Sequence, residues 1–209
     1  MFDGVQIKTY ERLPDFDKKE ILRYAGYKGE ADEVSAKLLD ECLQECKGCF
    51  SYRVAYIVRP IEFFWETFGE SKTAHAHLDG CKEVVMFAAT VGLDIDRLVS
   101  KYAYVSTARA LFFQAIGAER IEALCEEFCK GFGGKRFSAG YGDFPLEKQT
   151  EFFRLLDCSR KIGLTLNDSL LMSPTKSVTA AVGVCKNVDR MGSELDCSAC
   201  LYKHCEFKK

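Results

Sequence analysis

Between Glu30 and Lys47 the apolar residues Val34, Leu38, Leu39, Cys42, Leu43 and Cys46 recur at three- and four-residue steps, which predicts a helix. A shorter stretch, Asp15 to Tyr27, puts Ile21, Leu22 and Ala25 on one side and predicts a helix ending near Gly26 or Gly29. From Ser51 to Arg59, Val54, Tyr56 and Val58 alternate with other residues as a strand requires, and Pro60 ends the run. Ile61 to Phe68 is rich in aromatics and is expected to be another strand. Glu83 to Thr90 is almost continuously apolar, as in a strand buried on both faces. A helical region follows to about Lys130, with a break expected near Lys101. Further strands are expected near Arg136, at Ser169 to Met172 and at Ser177 to Val184, the last two as a hairpin around Ser-Pro-Thr-Lys. Helices set between separated strands, without regular βαβ alternation, predict an α+β domain over residues 1–184. Residues 185–209 differ: they are polar, rich in cysteine and poor in aliphatics, and form a short appended tail.

The bulk numbers narrow the class. A chain of 209 residues with 47% hydrophobic composition suits one medium domain with a real core. A net charge of −2 gives no general nucleic-acid footprint. No apolar run of about 18 residues is present, and the start lacks the features of a signal peptide. Eleven cysteines, an odd number, point to reduced thiols in a cytoplasmic setting, some of them available to metal.

Two cysteine groups stand out. Cys42-x3-Cys46-x2-Cys49 has the spacing of radical S-adenosylmethionine enzymes, yet Cys42 and Cys46 fall on the apolar face of a predicted helix. Buried thiols that behave as small hydrophobes are the favoured reading. Cys185-x11-Cys197-x2-Cys200-x4-Cys205 sits in the polar tail, where no apolar face explains it, and could hold zinc or an iron–sulfur cluster. His204 is an alternative zinc ligand. His75 and His77 would share one face of a strand, although a simple surface pair is commoner. Asp94 is expected to cap a helix, and Cys125 and Cys129 to lie in a core. No Ser-His-Asp order, Walker loop or G-x-G-x-x-G occurs.

The most specific stretch runs Lys135-Arg-Phe-Ser-Ala-Gly-Tyr-Gly-Asp-Phe-Pro145. Arg136 offers a planar fork for a carboxylate. Gly140 and Gly142 allow close backbone approach or positive φ, and the Tyr141 ring can lie against a cation. The set suits a small zwitterion with extra positive charge. A tight turn beside a solvated arginine is the plainer alternative.

Those residues resemble the R-x-x-x-G-Y motif of the S-adenosylmethionine-binding reactivation domain of cobalamin-dependent methionine synthase. The resemblance continues through Glu151 to Leu156, Lys161 to Asn167 and Ser169 to Val178, and upstream through Val84 to Gly92 and Gly117 to Glu122. At Gly142, Asp143 and Phe144 the chain departs from the fused domain, which reads Pro-Ala-Cys there, and looks like a free-standing form. The resemblance implies a single domain with a mostly antiparallel, twisted sheet flanked by helices. It implies that Arg136 takes the ligand carboxylate, Glu119 its ammonium (Glu122 as fallback), and Tyr141 the sulfonium or ribose. Backbone around Ser138, Ala139 and Gly140 would meet the adenine. It further implies a cobalamin on a partner corrinoid protein or methionine synthase, with a flavodoxin or ferredoxin as electron donor. A non-catalytic partner that docks on a corrinoid protein and senses its state is a second reading.

Overall fold

The computed structural model describes residues 4–132 and 134–184. The tail, with Cys185, Cys197, Cys200, His204 and Cys205, lies outside the described residues. In chain order the elements are β1 (Gln6–Tyr10), α1 (Lys18–Tyr24), α2 (Glu33–Glu45), β2 (Tyr52–Pro60), α3 (Ile61–Phe68), α4 (Lys72–Leu78), β3 (Glu83–Thr90), α5 (Asp94–Ala103) and α6 (Thr107–Cys129). There follow α7 (Gln149–Leu156), α8 (Cys158–Ile162), β4 (Thr165–Leu166), β5 (Met172–Ser173) and β6 (Ser177–Val184).

The larger sheet has the order β1-β2-β3-β6, with each neighbouring pair antiparallel. Strand alternation sorts its side chains onto two cores. Val85, Phe87 and Ala89 of β3, with Ala180 and Val182 of β6, face α1, α2, α5 and α6. Val84, Met86 and Ala88, with Ala181, face α3, α4, α7 and α8. The unbroken apolar run of β3 is therefore a consequence of burial on both sides. The fold is α+β, with the antiparallel sheet sandwiched between helical layers.

Several expectations need correction. Residues 61–68 form α3, not a strand. As a strand they would put Glu62 and Glu66 on the same face as Phe64 and Phe68. The helix instead groups Ile61, Phe64, Trp65 and Phe68, and both Phe64 and Phe68 are fully buried. Each such side chain removed from water is worth about 1.5–3 kcal/mol, enough to outweigh the β preference of aromatics. The expected hairpin of 169–172 with 177–184 does not form: β5 pairs with β4, and β6 pairs with β3. The strand expected near Arg136 is reduced to one bridge, Phe137 to Ala181. β1, which no periodicity announced, adds the edge next to β2.

Asp94 does not cap α5, since Leu93 holds the cap position and Asp94 pairs with Arg97 at 2.6 Å. Asp96 instead accepts from the Thr175 amide and hydroxyl, both at 2.7 Å, fixing the turn before β6. His75 and His77 lie on α4, where a two-residue step sends side chains apart. His75 stacks on Trp65 and pairs with Glu70, and His77 bonds the Thr73 carbonyl at 2.8 Å.

Candidate functional site

The 135–144 segment crosses the outer edge of β6. Phe137 exchanges two backbone hydrogen bonds with Ala181, each 2.9 Å, and its ring is buried against Phe64 and Phe144. Residues adjacent along an extended segment point to opposite sides. Arg136 accordingly turns toward α6, where its Nη2 donates to the carboxylate of Glu122. Its Nη1 is buried and has no partner. Burial works against the charged guanidinium, but the nearby Cys125, Glu122 and Cys129 outweigh it and the pKa rises. Burial also pushes the Cys125 and Cys129 thiols up, leaving them neutral at pH 7, so Glu122 is the anion that matters there.

Beyond Phe137 the chain folds into a turn. The Gly140 amide donates to the Phe144 carbonyl (2.8 Å), the Tyr141 amide to the Ser138 carbonyl (3.2 Å), and the Phe144 amide to the Tyr141 carbonyl (2.9 Å). Ala139 is buried and takes no part in these bonds. Gly140 has φ +90° and Gly142 φ +57°. At Gly142 a Cβ would lie 2.1 Å from Thr73 Oγ1, so glycine is required on two counts. Tyr141 crowns the turn and is 56% exposed.

Asp143, marked in the sequence only as one of the departures from the fused domain, ties this turn to α4. Its Oδ1 accepts from the Ser71 hydroxyl (2.7 Å) and the Thr73 amide (2.9 Å), and its Oδ2 from the Lys72 amide (2.8 Å). The Asp143 amide donates back to Thr73 Oγ1 at 3.3 Å. These bonds, the Thr73 amide first, hold the carboxyl well below its usual range. The only available signal was Ser71-Lys72-Thr73, a helix start that any acidic residue could have met.

Glu119 and Glu122 are one turn apart on α6 but do different work. The Glu119 carboxylate is buried, bonded by the Arg120 guanidinium, and accepts from the Asp17 amide at 3.3 Å. Arg120 also donates to the Pro14 and Asp15 carbonyls at 2.7 and 3.2 Å and lies over the Phe16 ring. This network anchors the chain entering α1. The structure therefore joins Arg136 to Glu122, the fallback from sequence, and leaves the Glu119 carboxylate occupied elsewhere.

Cys42 and Cys46 are fully buried and Cys49 packs against the same core. Desolvation pushes Cys42 up to about 11 and Cys46 to about 12. Such thiols are poor metal ligands, which speaks against the radical-enzyme reading. Among the described residues no group of three or more His, Cys, Asp or Glu side chains could hold a metal. No helix among them is long and apolar enough to cross a membrane.

A family model described as the activation domain of vitamin B12 dependent methionine synthase matches residues 124–189, which include Arg136, the turn and β6. Methionine synthase of Mycobacterium tuberculosis is 33% identical over 96 residues. That match takes in 44% of this chain and 8% of the relative, so the chain spans a small fraction of the curated protein it matches. In fold, the chain is similar to a crystal structure of the MetH reactivation domain bound to AdoHcy. The TM-score is 0.62 at 15% identity, covering 88% of this chain and 79% of that one. The resemblance to the reactivation domain thus extends from the Arg136 motif to the architecture around it.

Proposed function

We propose that this protein binds S-adenosylmethionine at the Arg136–Tyr141 segment and presents its methyl group to a corrinoid carried by a separate protein. One observation carries the reading: a buried guanidinium nitrogen of Arg136 has no partner, beside a glycine turn that holds Tyr141 outward. A ligand carboxylate would satisfy Nη1, and Glu122, already on Nη2, is placed to accept the neighbouring ammonium. Charge-assisted bonds of this kind contribute about 1.5–3 kcal/mol each. The Tyr141 ring would lie near the sulfonium or ribose, and the Ala139 peptide, with Ser138 and Gly140 beside it, would meet the adenine edge. The fold that this chain shares with a domain bound to AdoHcy supports a ligand of that class.

Methyl transfer from a sulfonium to cobalt(I) needs no general base: the metal supplies the electron pair and S-adenosylhomocysteine departs. The chain's own task is to hold the methyl group in line at an open surface. A corrinoid in the cob(II) state needs one electron first, from a reductant such as a flavodoxin or ferredoxin. The partner that fits best is a cobalamin-dependent methionine synthase lacking its own activation domain.

Calorimetric titration with S-adenosylmethionine and AdoHcy tests the binding step. Saturable binding that Arg136→Ala weakens by about tenfold or more is expected, from loss of one charge-assisted bond. Absence of binding to folded wild-type protein would sink the proposal. Under the docking-and-sensing alternative, Arg136→Ala would leave association with the corrinoid protein intact and methylcobalamin formation would not depend on this chain.

A further inference from the structure

We infer that Asp143 is a positioning residue for the ligand turn: by clamping residues 140–144 to the start of α4 it sets where Tyr141 and the Ala139 peptide stand. This rests on the functional reading above. Three features of the structure carry it. The Asp143 carboxylate receives the Ser71 hydroxyl and the Lys72 and Thr73 amides at 2.7–2.9 Å, while its own amide returns a bond to Thr73 Oγ1. Gly142 is pressed against that same Thr73, at a φ of +57°. On the other side, Phe144 is buried among Phe64, Phe68 and Phe137, so the turn is pinned from below and from the flank. Tyr141 lies in the chain between Arg136 and these two pins, and its ring is half-exposed. The backbone from which its ring departs stands where the turn places it, and Asp143 and Phe144 hold that turn. Small displacements of a positioning group are costly for ligand geometry.

The test measures AdoHcy affinity by calorimetry at a temperature where every variant is folded, with amide hydrogen exchange on the same samples. Asp143→Ala should weaken AdoHcy by about tenfold, as expected for coupled neighbours. Asp143→Asn keeps an oxygen that can accept from the α4 amides, and should recover most of the affinity. The loss caused by Asp143→Ala should be smaller in a Tyr141→Ala background than in wild type. Exchange should quicken at Gly140, Tyr141 and Phe144 while Phe137 and Ala181 stay protected, which a general loss of stability would not produce. Wild-type binding that survives Asp143→Ala overturns the positioning role alone. Equal losses in both backgrounds, or no rescue by asparagine, also overturn it. A folded wild-type chain that binds no AdoHcy overturns the functional reading and this role together.

Discussion

Glu122 holds one side of the Arg136 guanidinium and leaves the other side buried and unsatisfied. The pair joins α6 to a segment, 14 residues further on, that lies across the edge of β6. Each carboxylate on this stretch of α6 has a separate consequence on substitution.

Glu122→Gln should weaken binding of S-adenosylmethionine and AdoHcy with little cost in stability. Its side chain and that of Arg136 are both partly exposed, and pairs of this kind contribute only about 0–1 kcal/mol to folding. Calorimetric titration together with thermal melting checks both halves; unchanged affinity would count against Glu122 as the ammonium acceptor.

Glu119→Gln should do the opposite. It strips the counter-ion from Arg120, whose side chain is 3% exposed, and breaking one side of a buried pair costs about 3–5 kcal/mol. Urea unfolding should show a large drop in midpoint. Ligand affinity in the surviving folded fraction should change little.

Gly142→Ala should destabilise the protein by about 1–2 kcal/mol from left-handed backbone strain alone, with a further contribution from the clash with Thr73. Thermal melting of Gly142→Ala with and without Thr73→Ala separates the two, since the second change removes the hydroxyl that the new methyl group meets.

The Asp143 carboxyl has an ordinary pKa of 3.8 and a lower one in the folded chain, because three donors favour its charged form. Its contribution to stability is therefore fully present above 3.8 and is lost as the pH falls below it toward the depressed folded value. Melting curves between neutral pH and strong acid should show wild type losing more stability in that acid window than Asp143→Asn. Parallel curves would contradict the assignment.

Cys42 and Cys46, pushed up to about 11 and 12 by burial, should resist iodoacetamide at pH 8 and react only on unfolding. Mass spectrometry of labelled peptides reads this directly. Rapid native labelling of both would reopen the reading in which they ligate a cluster.

The chain's own pattern determined much of this molecule. The three- and four-residue steps of Leu39, Cys42 and Leu43 announced α2, and the unbroken run from Glu83 to Thr90 announced a strand covered on both faces. Arg136, Tyr141 and their glycines marked the candidate site, because such side-chain chemistry is written residue by residue. Tertiary structure decided the rest. Phe64 and Phe68 became helical because that face keeps Glu62 and Glu66 out of the core. β6 chose β3 over its neighbour β5, since pairing across a buried central strand offers more apolar contact than a local hairpin. Glu122, not Glu119, met Arg136 across the turn that follows α6, and Asp143 met the start of α4, some 70 residues away in the chain. Local periodicity reports which face of an element is apolar; it carries no information on which distant donor a carboxylate will find when those faces close.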